Sequence, residues 1–223
     1  MSRLTIPARD DVPQASKPIL DAVHKQLGVV PNMFRLIAAS PAALQGFTGN
    51  NGALARTLDV KTRERIALAV AQVNNCDYCL SAHSYLGLNL AKITPEEIAL
   101  NRKGESGDAK ADAAVRFAAK VVRERGKVSD GDIKAVRDAG FSDGQIVEII
   151  AVTAENIFTN CSTWSRRLTS TSPSFTRPRP LDGWRGLAGS FWPPARSFFF
   201  RRSLTMSYGF LDITEAVRHC AIA

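Results

Sequence analysis

The sequence predicts an all-α protein with an irregular C-terminal appendage. Three observations carry this. Apolar residues recur at helical spacing through the first 160 positions, Ser, Thr, Asp, Pro and Gly fall where helices start and stop, and no stretch sustains the period-two alternation of a strand. About 160 residues can remove roughly two thirds of their unfolded surface from water, enough for one core.

The elements follow in order. Residues 13–27 form a first helix closed by Gly28, and Pro31 opens a second carrying Met33, Phe34, Leu36 and Ile37. Ser40 caps a third, with Pro41 at its first position. Asp59 or Thr62 starts a fourth, nearly all apolar from Ile66 to Val73, which Asn74 and Asn75 break. A fifth spans residues 76–90, and Thr94-Pro95-Glu96-Glu97 caps a short sixth. Residues 108–125 form a seventh with Ala111, Ala114, Val115, Ala118, Val121 and Val122 on one face, and Gly126 ends it. Ser129 and Ser142 each begin one more, separated by Gly140. The small residues of the fourth and seventh helices suit close packing.

From Cys161 the composition changes. All three tryptophans lie in residues 161–223, and the segment's basic residues are nine arginines against three acids. Residues 1–160 are nearly neutral, with 20 basic and 18 acidic side chains, so the overall charge of +8 belongs to the tail and the helical body calls for no nucleic acid partner. Three readings fit the tail: a basic aromatic arm, a disordered extension, or an out-of-frame translation beginning near residue 160. The expected division is therefore a helical domain over 1–160 and an aberrant or disordered tail over 161–223. No run of eighteen apolar residues and no N-terminal apolar signal segment occurs, so the expectation is a cytoplasmic protein with reduced thiols and no membrane partner.

The chemistry concentrates in Thr62–Leu90, TRERIALAVAQVNNCDYCLSAHSYLGLNL. If residues 76–90 are one continuous helix, Cys76, Cys79 and His83 fall at about 0°, 300° and 340°, within one 60° arc. The helix start favours a thiolate at Cys76, and His83 sits one turn beyond Cys79 as a proton acceptor. An antiparallel hairpin centred near Asn75 brings Glu64 within one turn of His83, where a carboxylate orients the imidazole and raises its basicity. The residues alone leave three readings open: a redox-active pair, half of a zinc site, and an inert buried pair. Zinc wants a fourth ligand, for which the body offers only His24 or carboxylates. No Gly-rich phosphate or dinucleotide loop is present, and no cofactor is expected.

Glu64, eleven residues, then Cys76-x-x-Cys79-x-x-x-His83 is similar to the signature of the AhpD-like alkylhydroperoxidases of the carboxymuconolactone decarboxylase superfamily. VPNMFRLIAASPAALQGF and KTRERIALAVAQVNNCDYCLSAHSYLG also resemble that family, and the likeness covers about residues 1–160. It implies an AhpD-like helical bundle, a homo-oligomer, and a cysteine-based peroxidase that reduces organic hydroperoxides with an external dithiol. Cys79 would be the peroxidatic thiol, Cys76 the resolving and more accessible one, and His83 with Glu64 the proton relay. Mycobacterial-type members carry a second histidine where this chain has Tyr78, whose phenol, with a pKa of about 10, is a poor base at neutral pH. From another class, the same pair would serve a non-enzymatic redox sensor or stress-response adapter.

Overall fold

Capping chemistry sets most helix ends. Ser40, Asp59, Thr94 and Asp108 each accept a hydrogen bond from the backbone N–H three residues on, and Ser129 and Asp132 form a reciprocal capping box. Gly28 and Gly126 stand at φ of 70° and 82°, the left-handed conformation that stops a helix without a Cβ clash. The computed structural model describes residues 4–166, and its regular structure is helical throughout.

Two short 3-10 turns, Arg9–Asp11 and Gln14–Ser16, precede nine α-helices among the described residues: α1 (Lys17–Leu27), α2 (Asn32–Ile37), α3 (Pro41–Leu54), α4 (Val60–Val73), α5 (Asp77–Asn89), α6 (Pro95–Lys103), α7 (Ala109–Arg123), α8 (Asp130–Asp138) and α9 (Asp143–Arg166). The first helix expected from Pro13 begins as an α-helix only at Lys17. Pro18 explains the delay, because a proline lacks the N–H needed for a bond to the preceding turn and fits best in a helix's first turn.

Helix α4 is the hub. It packs against α5, α6, α7 and α9, and Ile66, Leu68, Ala69, Val70 and Ala71 are fully buried. Ile66 and Val70 join Ala114, Phe117 and Ala118 of α7, Val136 of α8, and Ile146, Ile149 and Val152 of α9 in the main cluster. Alanines on α4 and α7 allow the close approach that their sequences anticipate. A second cluster gathers Val12, Leu20, Val30, Ile37, Leu44 and Phe47. Phe47 reaches Phe158 of α9 with ring centroids 6.1 Å apart, tying this N-terminal layer to the last helix.

Helix α9 runs to Arg166, six residues past the expected boundary at 160. No proline or glycine interrupts the sequence between Gly144 and Pro173, so the change in composition at Cys161 does not by itself break a helix. The inward polar residues are accommodated locally: the Thr159 hydroxyl donates to the Asn156 carbonyl at 3.0 Å, and the Thr163 hydroxyl lies 3.1 and 2.9 Å from the carbonyls of Thr159 and Asn160. The three tail readings, from residue 167 onward, lie outside the described residues.

Ile149→Ala removes a fully buried side chain from the main cluster. It should destabilise the fold by about 2–5 kcal/mol in urea titrations. Asp59→Ala should cost about 1 kcal/mol through loss of the α4 cap.

Candidate active site

The site is built at the corner joining α4 to α5. Asn75 takes a left-handed φ of 52°, and the Cys76 N–H donates back to the Ala71 carbonyl at 2.9 Å, so the chain reverses within three residues. Cys76 then leaves helical geometry, with φ −89° and ψ 91°, and becomes the N-cap of α5. Its sulfur accepts the Cys79 backbone N–H at 3.3 Å, where a serine or aspartate oxygen usually sits. This corrects the expected origin of the cluster. The two sulfurs meet because an N-cap side chain folds over the first turn, not because both ride one helical stripe.

Helix α9 covers the pair. Thr163 places its hydroxyl oxygen 3.2 Å from the Cys76 sulfur and 3.5 Å from the Cys79 sulfur. Asn160, one turn earlier, accepts a hydrogen bond from the Asn74 side chain at 2.9 Å, pinning α9 to the corner. Both cysteines are free thiols and each is 3% exposed. The greater accessibility implied for Cys76 is therefore not found, because Thr163 lies over both sulfurs. Tyr78 packs partly buried against the same cluster.

On the neighbouring turns, the antiparallel packing of α4 and α5 brings Glu64 and His83 into direct contact. His83 Nδ1 lies 2.8 Å from Glu64 Oε2, with the carboxylate nearly buried and the imidazole half-buried. The hairpin register expected from the sequence predicts this reach. A second carboxyl is new. Glu155 of α9 accepts the side-chain amides of Asn50 and Asn51 from α3 at 2.5 and 2.7 Å, and its charge is felt at His83. Sequence reasoning misses Glu155, Asn160 and Thr163 because their partners are 84 to 105 residues away along the chain. The one available signal is an acid set within the largely apolar run from Ile146 to Phe158.

Electrostatics divides the pair unequally. Cys76 is drawn from 9.0 down to about 7: the Cys79 thiol donates to its sulfur, and this outweighs burial with help from Thr163, the Cys79 N–H and the nearby His83. Cys79 is pushed up by the same partner, by burial and by the charge on Cys76, while Thr163 and Asn160 pull it the other way. Cys76 is thus the sulfur drawn toward the charged form and Cys79 the one pushed toward the neutral form, in line with the position of Cys76 at the helix start. Burial pulls the His83 pKa down, but Glu64 beside it outweighs burial, and the net effect is upward. Burial holds Glu155 above the usual carboxyl range. Among the described residues, no group of three or more His, Cys, Asp or Glu is placed to hold a metal ion.

A folded-state Cys76 pKa below its unfolded value stabilises the fold above the unfolded pKa, and that contribution is lost as pH falls through the folded one. Thiolate absorbance should therefore show one sulfur of the pair titrating near 7. Thr163→Val, which removes the hydroxyl from both sulfurs, should move that midpoint upward. An unmoved midpoint would remove Thr163 from the charge balance.

Comparison with known proteins shows what the chain is similar to. Residues 40–124 match the carboxymuconolactone decarboxylase family, a span that contains Glu64, both cysteines and His83. A peroxidase-related protein from Ralstonia eutropha with an alkylhydroperoxidase AhpD core is 26% identical, with 78% of this chain and 94% of that chain covered and a TM-score of 0.68. A peroxidase-related protein from a Silicibacter species is also 26% identical, covering 75% of this chain and 91% of that one at a TM-score of 0.64. The debrominase Bmp8, 18% identical with 74% and 90% coverage and a TM-score of 0.60, shares the fold alone. No curated protein matches the sequence. No helix of the described residues is long and apolar enough to cross a membrane. In its all-helical bundle and in the matched segment around the cysteine corner, the chain is similar to the carboxymuconolactone decarboxylase family and to these peroxidase-related proteins.

Proposed function

We propose that this protein is a cysteine-based peroxidase that reduces organic hydroperoxides through a dithiol–disulfide cycle of Cys79 and Cys76. The observation that carries the reading is a pair of buried free thiols at a helix cap, on the turns next to a directly hydrogen-bonded carboxylate and imidazole. The peroxidase-related relatives with the same fold support it.

The chemistry runs in three steps. A proton passes from Cys79 to the Cys76 thiolate, leaving the charge on Cys79. The Cys79 thiolate attacks the O–O bond, the bond breaks, and the departing alkoxide takes a proton delivered through His83 and Glu64 to leave as an alcohol. Cys79 is oxidised by two electrons to a sulfenic acid, and the peroxide is reduced by two. The Cys76 sulfur, deprotonated, then displaces the hydroxyl, which leaves as water, and a Cys76–Cys79 disulfide forms. An external dithiol restores both thiols by two exchanges and becomes a disulfide itself. His83 and Glu64 suit the relay because the carboxylate fixes the imidazole's orientation and favours its protonated form.

The same reading includes assembly into a homo-oligomer in a reducing, cytoplasmic setting. Val147, Ile150 and Phe158 leave an apolar face of α9 exposed, which suits burial against another copy.

Cys79→Ser should abolish peroxide consumption driven by a lipoyl or thioredoxin-type dithiol. Cys76→Ser should stop turnover yet leave a sulfenic acid on Cys79 that a dimedone-type reagent traps. Wild-type turnover in Cys79→Ser, or trapping on Cys76 instead, would reverse the assignment. Glu64→Gln should slow the reaction by about 10²–10⁴-fold, the range for losing an acid–base group, and an unchanged rate would remove the carboxylate from the relay.

A further inference from the structure

We propose that the side-chain amide of Asn160 is a hydrogen-bond donor held for Cys79, one that counts most when Cys79 carries the charge or the sulfenic oxygen. The proposal rests on the dithiol reading above.

Asn160 is 1% exposed, and its two amide atoms are treated differently by the fold. Its Oδ1 accepts the Asn74 amide at 2.9 Å. Its Nδ2 is buried with no other hydrogen-bond partner among the described residues, and the side chain acts on the Cys79 sulfur. A buried N–H without a partner is unfavourable, and it persists where another requirement holds it in place. Thr163, three residues on along the same face of α9, shows where that face points, because its hydroxyl touches both sulfurs. Asn160 is moreover one of two side chains that pull the Cys79 pKa down against burial and the neighbouring sulfur.

The asymmetry of the pair gives this donor its purpose. At rest Cys76 holds the charge because it collects the Cys79 N–H, the Cys79 thiol and the Thr163 hydroxyl. When the proton crosses from Cys79 to Cys76, the charge moves to a sulfur that lacks the cap N–H. The Asn160 amide supplies a replacement already oriented by Asn74, so no group has to reorganise. The titratable groups around the pair are Cys76 at the cap of α5, Tyr78 and His83 on α5, Glu64 on α4 and Glu155 on α9; once protonated, the Cys76 thiol also donates to Cys79, and the Asn160 amide adds a donor that does not titrate.

The test reads Cys79 directly and does not need turnover. In the Cys76→Ser background, the pH dependence of Cys79 alkylation by iodoacetamide is followed on the Cys79 peptide by mass spectrometry. Asn160→Leu keeps the bulk and removes the donor, and Asn160→Asp keeps the shape and replaces the donor with an acceptor. Both should raise the Cys79 midpoint, with Asp the larger effect. Alkylation at neutral pH should slow by about tenfold for every pH unit by which the midpoint rises. In the Cys79→Ser background, Asn160→Leu should leave the Cys76 profile in place. If Cys79 titrates unchanged in whichever of the two variants folds, and only thermal stability falls, Asn160 is a structural strut and the proposal fails. A raised midpoint in a protein that shows no peroxide turnover would uphold the donor while overturning the peroxidase reading.

Discussion

The corner at Asn75 and Cys76 is the constraint on which the site depends. A left-handed residue followed by an extended one turns the chain back along a helix whose centre is fully buried, and the extended residue is itself the cap of the next helix. Because the cap is a cysteine, one side chain terminates a helix backbone and also supplies a sulfur stabilised by that backbone's N–H. The same reversal sets the register of α4 against α5 and so the contact between Glu64 and His83. Helix termination, thiol activation and relay geometry are consequences of one turn.

Helix α9 completes what the corner begins. It seals the sulfurs from water with Thr163, anchors Asn160 on Asn74 and brings a second carboxyl toward His83. Exclusion of solvent strengthens each of these interactions, because charge and dipole act on the sulfurs through protein and not through water. It also makes the pair sensitive to small changes. A single shared charge on two adjacent sulfurs is partitioned by a handful of donors, and moving one of them redistributes it.

The helical body is legible in the sequence because its punctuation is local. Ser40, Asp59, Thr94, Asp108 and Ser129 cap helices where they stand, and Gly28 and Gly126 end them, through interactions spanning a few residues. The pairing of Glu64 with His83 is also within reach, since one short reversal and the rise of a helix suffice to superpose the two positions. A local rule extended past its range misleads. A uniform helical wheel through Cys76 ignores the cap.

The sequence by itself determined the helices, the hairpin and the presence of two thiols, an imidazole and an acid close together along the chain. Only the tertiary structure decided how far the two sulfurs differ, because that depends in part on Thr163 and Asn160, about 85 residues distant, and on how completely α9 covers the pair. The physical reason is that backbone geometry follows from nearest neighbours, whereas a thiol's proton affinity follows from the donors, charges and dielectric gathered around it by packing.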